Sequence, residues 1–437
     1  MSGQSTQWRQ AARVLRRSGF GISGREVDAV VAIGSEKYME AALAMHPNDD
    51  PGAAATPAPV FVQPDPPGAT ATHEDWVRYY QQVWQQLTEL QLWWLRRMLA
   101  INYPIHERLT WTWHDHFATS IEKVTHAAAM SAQNEKLRTL GRGDFRLLAQ
   151  AMLTDPAMIV WLDGHKNTKA SPNENLARET MELFCLGHGS GYSEKDVKAA
   201  AASLTGLTIT PNWVVDFQPA LHDYEKKSIL GLTGPLNGWQ FLDAVLARPE
   251  SPRFVVGKLW RYFVSDGEPP KPALDRAVAA YGLNRDVRAA VQAILFDPAA
   301  IDAGPARVLP PIEWMVGAAR ALRFPASEES ARELLARLQG AGQAPFAPPN
   351  VGGWPSGQAW LTTAGISQRA AAAQELAKKG DTTVIEDAAI TDRVDAVGHL
   401  FGIGAWSDTS AKALAEVRDE PRRLAAMALN SPEYLTC

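Results

Sequence analysis

The chain has 437 residues, of which 46% are hydrophobic and 21% are charged. This composition is that of an ordinary globular protein and excludes a wholly disordered, collagen-like or disulfide-dependent chain. The formal net charge of −5 gives no electrostatic reason to expect nucleic acid as a partner. The two cysteines, Cys185 and Cys437, are too few for a disulfide framework or a thiolate zinc site.

In chain order, the sequence divides into four segments. Residues 1–46 predict an N-terminal helical hairpin, and residues 47–73, rich in proline and glycine, predict a linker or long surface loop. Residues 74–380 predict the main helical domain, which carries the candidate site, and residues 381–437 predict a C-terminal helical segment packed on it. Because no apolar run is long enough to cross a bilayer and no export signal is present, we expect no membrane span and a cytoplasmic location.

The hydrophobic periodicity predicts a mainly α fold. We expect a single body of many short helices and long loops, with at most a minor β-hairpin near 207–217. The longest predicted helix, 74–100, is rich in tryptophan and leucine at helical core spacing, so we expect Trp84 and Trp93, like Trp260 further along the chain, in the core. The other predicted helices are 7–17, 24–45, 134–153, 194–206, 238–247, 251–264, 272–281, 284–296, 309–322, 327–339, 366–378, 391–401 and 409–430.

The first concentration of polar residues is the segment 111–117, Trp-Thr-Trp-His-Asp-His-Phe. On a strand, His114 and His116 share a face and can chelate one ion. On a helix they diverge by about 200°, so that only one of them can enter a given site. The flanking residues favour a helix. The alternative to a metal role is that both histidines are satisfied by hydrogen bonds beneath aromatic packing.

A second concentration follows at 161–184. Ser171-Pro-Asn-Glu174 matches a capping box with proline at the first helical position, which predicts a helix start there. On that helix Arg178, Glu179 and Glu182 gather on one face, and we predict that both carboxylates point into a shared pocket. The alternative is a solvated ladder of ion pairs on the helix surface.

The loop before this helix adds further candidates, because it brings Asp163 close to the polar face. We assign candidate catalytic roles to Asp163, Arg178 and Glu179. Asn173 and Asn175, at the start of the predicted helix, are candidate ligand contacts.

Two later segments complete the set. His222 and Asp223 open a glycine-punctuated polar loop, which is either part of a metal site or an exposed charged turn. The run 348–355, Pro-Pro-Asn-Val-Gly-Gly-Trp-Pro, predicts a rigid loop whose backbone can approach another segment closely. In that loop Asn350 and Trp354 are candidate ligand contacts, with simple packing as the alternative.

Taken in this order, the segments resemble the bacterial domain of unknown function 1800 family. The resemblance covers nearly the whole chain and implies a mainly helical fold and a secreted partner resembling the sulfatase and alkaline phosphatase superfamily. It implies no reaction. Asp115 stands where the family more often has an amide, and Glu225 where it more often has glycine. The matching blocks include 94–99, 113–120, 155–158, 172–184, 222–223, 258–265 and 348–355.

Two classes of function fit these observations. The first is a metal-dependent enzyme, most readily a hydrolase, that holds Zn, Mn or Fe with histidine and carboxylate ligands. The second is a non-catalytic helical accessory or maturation factor for a partner protein, in which the polar clusters form buried hydrogen-bond networks. For the first class, we expect the segments bearing the ligands to meet in one polar cavity. The candidate ligands are His114, His116, Glu182, His222 and Asp223.

Overall fold

The computed structural model describes residues 4–302 and 307–437. Up to residue 203 its helices are α1 (Thr6–Ser18), α2 (Gly24–Ile33), α3 (Ser35–Ala44), α4 (Pro51–Ala54), α5 (His73–Ala100), α6 (Ile105–His116), α7 (Ala127–Leu140), α8 (Phe145–Leu153), α9 (Pro156–Trp161), α10 (Asn175–Glu179), a π-helical segment (Thr180–Cys185) and α11 (Glu194–Ser203). Of the candidate residues before 200, Asp163 and Asn173 lie in the loop before α10, and the others lie in these helices.

The second half continues in the same way. Its helices are α12 (Gly238–Leu246), α13 (Glu250–Phe263), α14 (Lys271–Tyr281), α15 (Val287–Leu295), α16 (Pro298–Asp302), α17 (Pro311–Ala321), α18 (Glu328–Gly340), α19 (Thr363–Lys379), α20 (Thr383–Glu386), α21 (Arg393–Leu400), α22 (Asp408–Ala415), α23 (Pro421–Leu429) and α24 (Pro432–Leu435). The protein is mainly α, as predicted. Within the described ranges, no helix is both long and apolar enough to cross a bilayer.

Strands are confined to two small antiparallel hairpins. In the first, β1 (Leu207–Ile209) pairs with β2 (Val215–Phe217), which confirms the predicted hairpin. In the second, β3 (Lys227–Ile229) pairs with β4 (Leu232–Gly234). The sequence predicts a loop at this second hairpin, because strands of three residues are too short to show an alternating pattern.

Three predicted helices are each interrupted. The prediction 24–45 breaks at Gly34, whose φ of 90° a helix does not allow. The prediction 134–153 breaks at the glycines between α7 and α8. The prediction 409–430 breaks before Pro421, which has no N–H to continue a helix and instead begins α23.

The buried side chains form two large hydrophobic cores. The outer core takes its residues mainly from 83–130 and 309–437. The middle core takes its residues mainly from 137–300, with additions from the N-terminal helices. Helix α6 belongs to both, because Trp111 lies in the outer core and Trp113 in the middle core. The end of α6, which bears the histidines, therefore lies where the two cores meet.

The predicted core position of Trp84 is wrong. Trp93 and Trp260 are buried as expected, with 1% and 2% of their surface exposed, but Trp84 is 44% exposed. Val83 and Leu87 of the same helix face the core, and Trp84, one position after Val83, is rotated away by about 100°. The large apolar residues of α5 therefore lie on two faces of the helix, of which only one is buried.

Two glycines hold the N-terminal helices against the outer core. Gly21 has a φ of +64°, and a Cβ on this residue would lie 2.4 Å from the Cα of Gly317 in α17. We expect Gly317→Ala to lower the free energy of unfolding by about 1–3 kcal/mol, since the backbones would have to separate. Urea unfolding measures this change. Gly257→Ala in α13 is the control, because its added Cβ meets nothing within 4 Å and should be neutral or slightly stabilising. Equal effects of the two substitutions would contradict the packing argument.

Candidate functional site

Both histidines of the segment 111–117 lie in the last turn of α6. Two positions apart on a helix, their side chains diverge by about 200°, so the two imidazoles cannot bind one ion together. His114 accepts a hydrogen bond at Nε2 from the backbone N–H of Phe346, at 3.1 Å. Burial lowers the pKa of His114 to about 3, so it is a neutral packing residue. The aromatic rings around it are those of Trp94, Trp111, Phe346 and Trp354.

His116 points into the middle core instead. Its Nε2 lies 3.0 Å from the carbonyl oxygen of Phe184, which can only accept, so Nε2 carries the proton. The other nitrogen, Nδ1, is buried and has no hydrogen-bond partner. Burial, together with the nearby charge of Lys258, holds the pKa of His116 well below its usual value. The imidazole is therefore neutral.

Asp115, between the two histidines, joins segments that are distant in sequence. Its Oδ1 accepts a hydrogen bond from the backbone N–H of Trp354, and its Oδ2 accepts one from the hydroxyl of Tyr262, each at 2.7 Å. A Cβ on Gly353 would lie 2.2 Å from Oδ1 of Asp115. The predicted rigid loop therefore does approach another segment closely, and that segment is the end of α6.

Lys258 lies near Asp115, and the sequence analysis gave neither Lys258 nor Tyr262 a role. The Lys258 ammonium donates a hydrogen bond to the carbonyl of Leu183 at 3.2 Å. Burial lowers the pKa of Lys258 to about 8, although the charge of Asp115 opposes this shift. The block 258–265 was visible only as part of the family resemblance, since a lysine and a tyrosine on an amphipathic helix carry no chemical signal of their own.

The loop before α10 is held by polar contacts. Asp163, in the left-handed conformation with φ 58°, forms ion pairs with Lys123 at 2.9 Å and with Lys166 at 2.7 Å. Asn173 donates its backbone N–H to the side chain of Asn167 at 2.9 Å. These contacts explain the loop conformation and leave the predicted roles of Asp163 and Asn173 as predictions.

The helix that follows does not begin where the capping box predicts. Ser171 forms a short bridge with Thr168 instead of capping, and the helix begins at Asn175. The side chain of Asn173 accepts the backbone N–H of Asn175 at 3.0 Å. The capping-box sequence predicts the wrong helix start because the backbone of Ser171 pairs with that of Thr168 instead. The helix therefore begins several residues later than predicted.

After one turn the α-helix widens into a π-helix over Thr180–Cys185. Such segments are rare and often occur at functional sites. The carbonyls of Leu183 and Phe184, in this segment, receive the hydrogen bonds from Lys258 and His116. The π-helical segment is thus joined directly to the end of α6 and to α13.

Arg178, Glu179 and Glu182 form a polar surface beside this segment, which we call the acidic face. Arg178 is bound by three carboxylates, those of Glu174 at 2.9 Å, Glu182 at 3.4 Å and Glu194 at 2.7 Å. The charge of Arg178 is therefore already neutralised. Arg178 positions the carboxylate of Glu182 and is not a free cation. The ion-pair ladder, which was the alternative to a shared pocket, is present around Arg178 and includes Glu182 but not Glu179. The shared pocket for the two carboxylates stays a prediction.

Glu182 is the more enclosed of the two carboxylates on the acidic face. Its side chain is 16% exposed and lies 3.3 Å from Nδ1 of His188. Burial and the neighbouring Glu182 carboxylate raise the pKa of Tyr192 to about 12. Glu182 therefore lies among the side chains of Arg178, His188 and Tyr192.

Glu179 differs in its surroundings. It is half-buried, and within residues 4–302 and 307–437 it makes no hydrogen bond or ion pair. Burial and, after it, the negative charge of Glu182 raise the pKa of Glu179, while Arg178 only partly offsets them. A carboxyl group in this position can hold a proton or give it up as its surroundings change.

His222 and Asp223 make local contacts. His222 is buried, and its Nδ1 donates to the carbonyl of Thr205 at 2.8 Å. The hydroxyl of Thr205 accepts the backbone N–H of Asp223, also at 2.8 Å. Asp223 is paired with Lys227 at 3.3 Å. The segment is a satisfied turn beside the end of α11.

The two candidates of the later loop have different surroundings. Asn350 is exposed, and its side chain accepts the backbone N–H of Gly352 at 2.8 Å within the turn. Trp354 is buried and stacks on Trp111, with ring centroids 4.8 Å apart, and its Nε1 is buried without a partner. The packing of Trp354 follows from the approach of its loop to α6.

The four segments are therefore neighbours in the fold, but their ligand-type side chains do not converge. Lys169 donates its backbone N–H to the carbonyl of Leu221 at 2.9 Å, which links the loop before α10 to the His222 turn. Across the described part of the chain, no three His, Cys, Asp or Glu side chains form a group that could hold a metal ion. The expected meeting of His116, Glu182 and His222 in one ligand set is not found, because each histidine is hydrogen-bonded to a backbone carbonyl near it.

Together these features define the class: a mainly helical body with two large cores, in which polar loops meet near the π-helical segment and the acidic face beside it. The chain belongs to the family described as Protein of unknown function (DUF1800), whose model matches residues 13–436. The family resemblance drawn from the sequence is thus confirmed over nearly the whole chain. No curated protein and no solved structure matches the chain.

Proposed function

We propose that this protein is a hydrolase in which Glu179 transfers protons at the acidic face. The observation that carries the proposal is the contrast between two neighbouring carboxylates. Glu182 is paired with Arg178 and has His188 beside it, whereas Glu179 has no such partner and its pKa is raised. Two neighbouring carboxyl groups in contrasting surroundings are typical of acid–base catalysis. Glu179 is the general acid or base, and Glu182 stabilises positive charge.

A water molecule is the nucleophile that best suits this site. Cys185, at the end of the π-helical segment, is fully buried, and burial raises the pKa of its thiol to about 12. A thiol in that state is not an effective nucleophile at neutral pH. Activation of water by Glu179 needs only one proton transfer at a half-exposed carboxylate, which the acidic face permits. Arg178 acts as a positioning residue for Glu182.

The metal-dependent form of this hydrolase has weaker support. A three-ligand site needs side chains that converge, and the described residues provide no such group. His114 and His116 each use Nε2 for a hydrogen bond to a backbone group. We therefore derive no catalytic step through a Zn, Mn or Fe ion, and we include metal content among the measurements.

A second candidate function is that of a helical accessory or maturation factor. It is favoured by the hydrogen-bonded state of His114, His116 and His222, which is the buried network that this hypothesis requires. The partner implied by the family resemblance is a protein similar to sulfatases and alkaline phosphatases. On this hypothesis the acidic face has no catalytic role.

The test is a comparison of Glu179→Gln with Glu194→Gln, which removes a carboxylate that is 68% exposed and binds the same arginine. We expect the unaltered protein to hydrolyse at least one 4-nitrophenyl ester from a panel of carboxylate, phosphate, sulfate and glycoside derivatives. Glu179→Gln should lower kcat by about 10²–10⁴-fold, since general acid–base catalysis contributes that much. Glu194→Gln should leave kcat within the same order of magnitude.

The same preparations distinguish the candidates. Turnover that survives a chelator, with no bound metal by elemental analysis, supports the metal-free hydrolase. Turnover that requires added metal, and is lost in Glu182→Gln, supports the metal-dependent form. If Glu179→Gln retains full activity, Glu179 is not the proton-transfer group. If the unaltered protein hydrolyses no member of the panel with or without metal, the accessory function becomes the better conclusion.

A further inference from the structure

Lys258, in α13, is a nucleophilic side chain that the proposed function does not use. Phe254, Lys258 and Tyr262 follow one another at four-residue steps, so their side chains lie in one row along α13. Tyr262 joins this row to the end of α6 through its hydrogen bond to Asp115. Lys258 joins it to the π-helical segment through the carbonyl of Leu183. Lys258, Tyr262 and Asp115 are each only partly buried, so a small molecule can approach the junction.

The ammonium group of Lys258 has few of the partners that an enclosed charge needs. It donates a hydrogen bond to the Leu183 carbonyl at 3.2 Å and makes no ion pair with any carboxylate among the residues that the structure describes. The ring of Phe254, whose centroid lies 5.4 Å from Nζ, covers it on one side. An enclosed ammonium without a counter-ion is costly, because much of its hydration is lost without replacement. The surroundings therefore favour the uncharged amine.

Asp115 is the carboxylate beside Lys258, but its oxygens are used elsewhere. Oδ1 accepts a hydrogen bond from the backbone N–H of Trp354, and Oδ2 accepts one from the hydroxyl of Tyr262, each at 2.7 Å. The carboxylate is thus held by the loop 348–355 and by α13, and it forms no direct ion pair with Lys258. The Lys258 nitrogen is therefore free to react.

The charges around Lys258 modify its pKa in both directions. Burial, the largest effect, lowers the pKa of Lys258 to about 8. Asp115 in α6 opposes this lowering of the pKa, as does Cys185 in the π-helical segment, whereas Arg261 in α13 adds to it. At pH 7.5 a lysine with a pKa of about 8 is uncharged in about one molecule in four, roughly 10²-fold more often than one with the usual pKa of about 10.4. The neighbours that carry no charge are Tyr262 and His116.

We propose that Lys258 forms a Schiff base with the carbonyl group of a small aldehyde or ketone. The uncharged amine attacks the carbonyl carbon, and the resulting carbinolamine loses water, so that a C=N bond replaces the C=O bond without any oxidant or reductant. A desolvated lysine without a carboxylate partner is the usual nucleophile for this reaction. The hydroxyl of Tyr262, in the same row of α13, is placed to exchange a proton with the carbinolamine. The proposal does not rest on the acidic face.

The test traps the Schiff base with acetaldehyde and sodium cyanoborohydride, which reduces it to a stable secondary amine. Peptide mass spectrometry then compares Lys258 with Lys37, an exposed lysine in α3 that makes no ion pair in the described ranges. At pH 7.5 the folded protein should be labelled at least about tenfold faster at Lys258, because enclosure offsets only part of the larger uncharged fraction. Labelling of Lys258 should level off above about pH 8, whereas labelling of an ordinary lysine rises up to about pH 10.

Unfolding provides the control that separates the effect of the fold from that of the local sequence. In guanidinium chloride the two lysines should be labelled at equal rates, because the enclosure of Lys258 is lost. In the folded protein, Lys258→Arg should abolish the fast labelling, and Lys37→Arg should leave it unchanged. If Lys258 reacts no faster than Lys37 in the folded, unaltered protein, or if its preference persists after unfolding, the proposal is wrong.

Discussion

Replacing Glu107 by glutamine should lower the free energy of unfolding by about 3–5 kcal/mol, because it removes the central charge of a buried network. Arg97 is left without a carboxylate partner, and Arg138 keeps only the partly exposed Glu135. Glu107, in α6, is 0% exposed. One of its carboxylate oxygens accepts hydrogen bonds from Arg97 at 2.6 Å and from Arg138 at 2.8 Å. The other accepts from Arg138 at 2.9 Å and from Nε1 of Trp94 at 2.7 Å.

The substitution isolates the effect of charge, since glutamine has nearly the same volume as glutamate. Urea unfolding, followed by tryptophan fluorescence, measures the change. The control is Glu135→Gln, which removes a carboxylate that also binds Arg138, at 2.7 Å, but is 42% exposed. Because Glu135 is in contact with solvent and Arg138 keeps its pair with Glu107, we expect this loss to be no more than about 1 kcal/mol. If the two variants lose equal stability, burial of the network is not what makes Glu107 important.

Acid should destabilise the protein steeply below pH 6.5. His106, His114 and His116 are almost completely buried. Burial lowers the pKa of His106 to about 4 and of His114 to about 3, and it holds the pKa of His116 well below its usual value. A histidine with a lowered pKa in the folded state contributes stability that is complete above the unfolded pKa of about 6.5. That contribution is lost as pH falls, because only the unfolded chain then binds the proton.

These three histidines alone let the unfolded chain bind up to three additional protons, which gives a slope of up to about 4 kcal/mol per pH unit. His126, whose pKa burial lowers to about 4, acts in the same direction. Asp115 and Glu179 oppose this slope, because burial raises the pKa of each carboxyl group and the folded state then binds protons more readily. Glu107 acts in the same direction as the histidines at lower pH. Although burial alone would raise its pKa, Arg138 and Arg97 outweigh burial and hold it at about 2.

Urea unfolding at a series of pH values between 7 and 5 measures the slope. His114→Gln, which keeps an acceptor for the backbone N–H of Phe346, should reduce the slope by about one proton, or about 1.4 kcal/mol per pH unit. The control His73→Gln removes an exposed imidazole at the start of α5 and should leave the slope unchanged. A slope that is the same in His114→Gln and in the unaltered protein would show that His114 already binds a proton in the folded state.

The sequence predicts the helices well because most of them carry an apolar face or a capping residue that can be read locally. Ser23 and Thr72, for example, form complete capping boxes where α2 and α5 begin. Ser171 shows the limit of this approach, since the same signal failed when a bridge to Thr168 competed for it. Trp84 shows another limit, because spacing alone does not reveal how many faces of a helix are covered.

The candidate site could be predicted only in part, for a related reason. Glu179 and Glu182 are three positions apart on the predicted helix, so the sequence alone places them on a common face. The contacts of Asp115 with Tyr262 and Trp354 join residues more than a hundred positions apart, and no local pattern encodes them. The partners that neutralise His114 and His116 are backbone groups of Phe346 and of the π-helical segment, which likewise depend on tertiary packing.

The division of the two cores along the chain has a consequence for the order in which the protein can acquire its structure. The middle core takes its residues mainly from 137–300, whereas the outer core needs both 83–130 and 309–437. Once residue 300 has been synthesised, nearly all of the middle core is available, while about two thirds of the outer core has not yet been made. Helix α6 is synthesised early, but Trp111 in this helix is covered only after the last third of the chain has been synthesised. Until then the apolar surface around Trp111 stays open to solvent, which makes the late stage of synthesis the time of greatest exposure to aggregation.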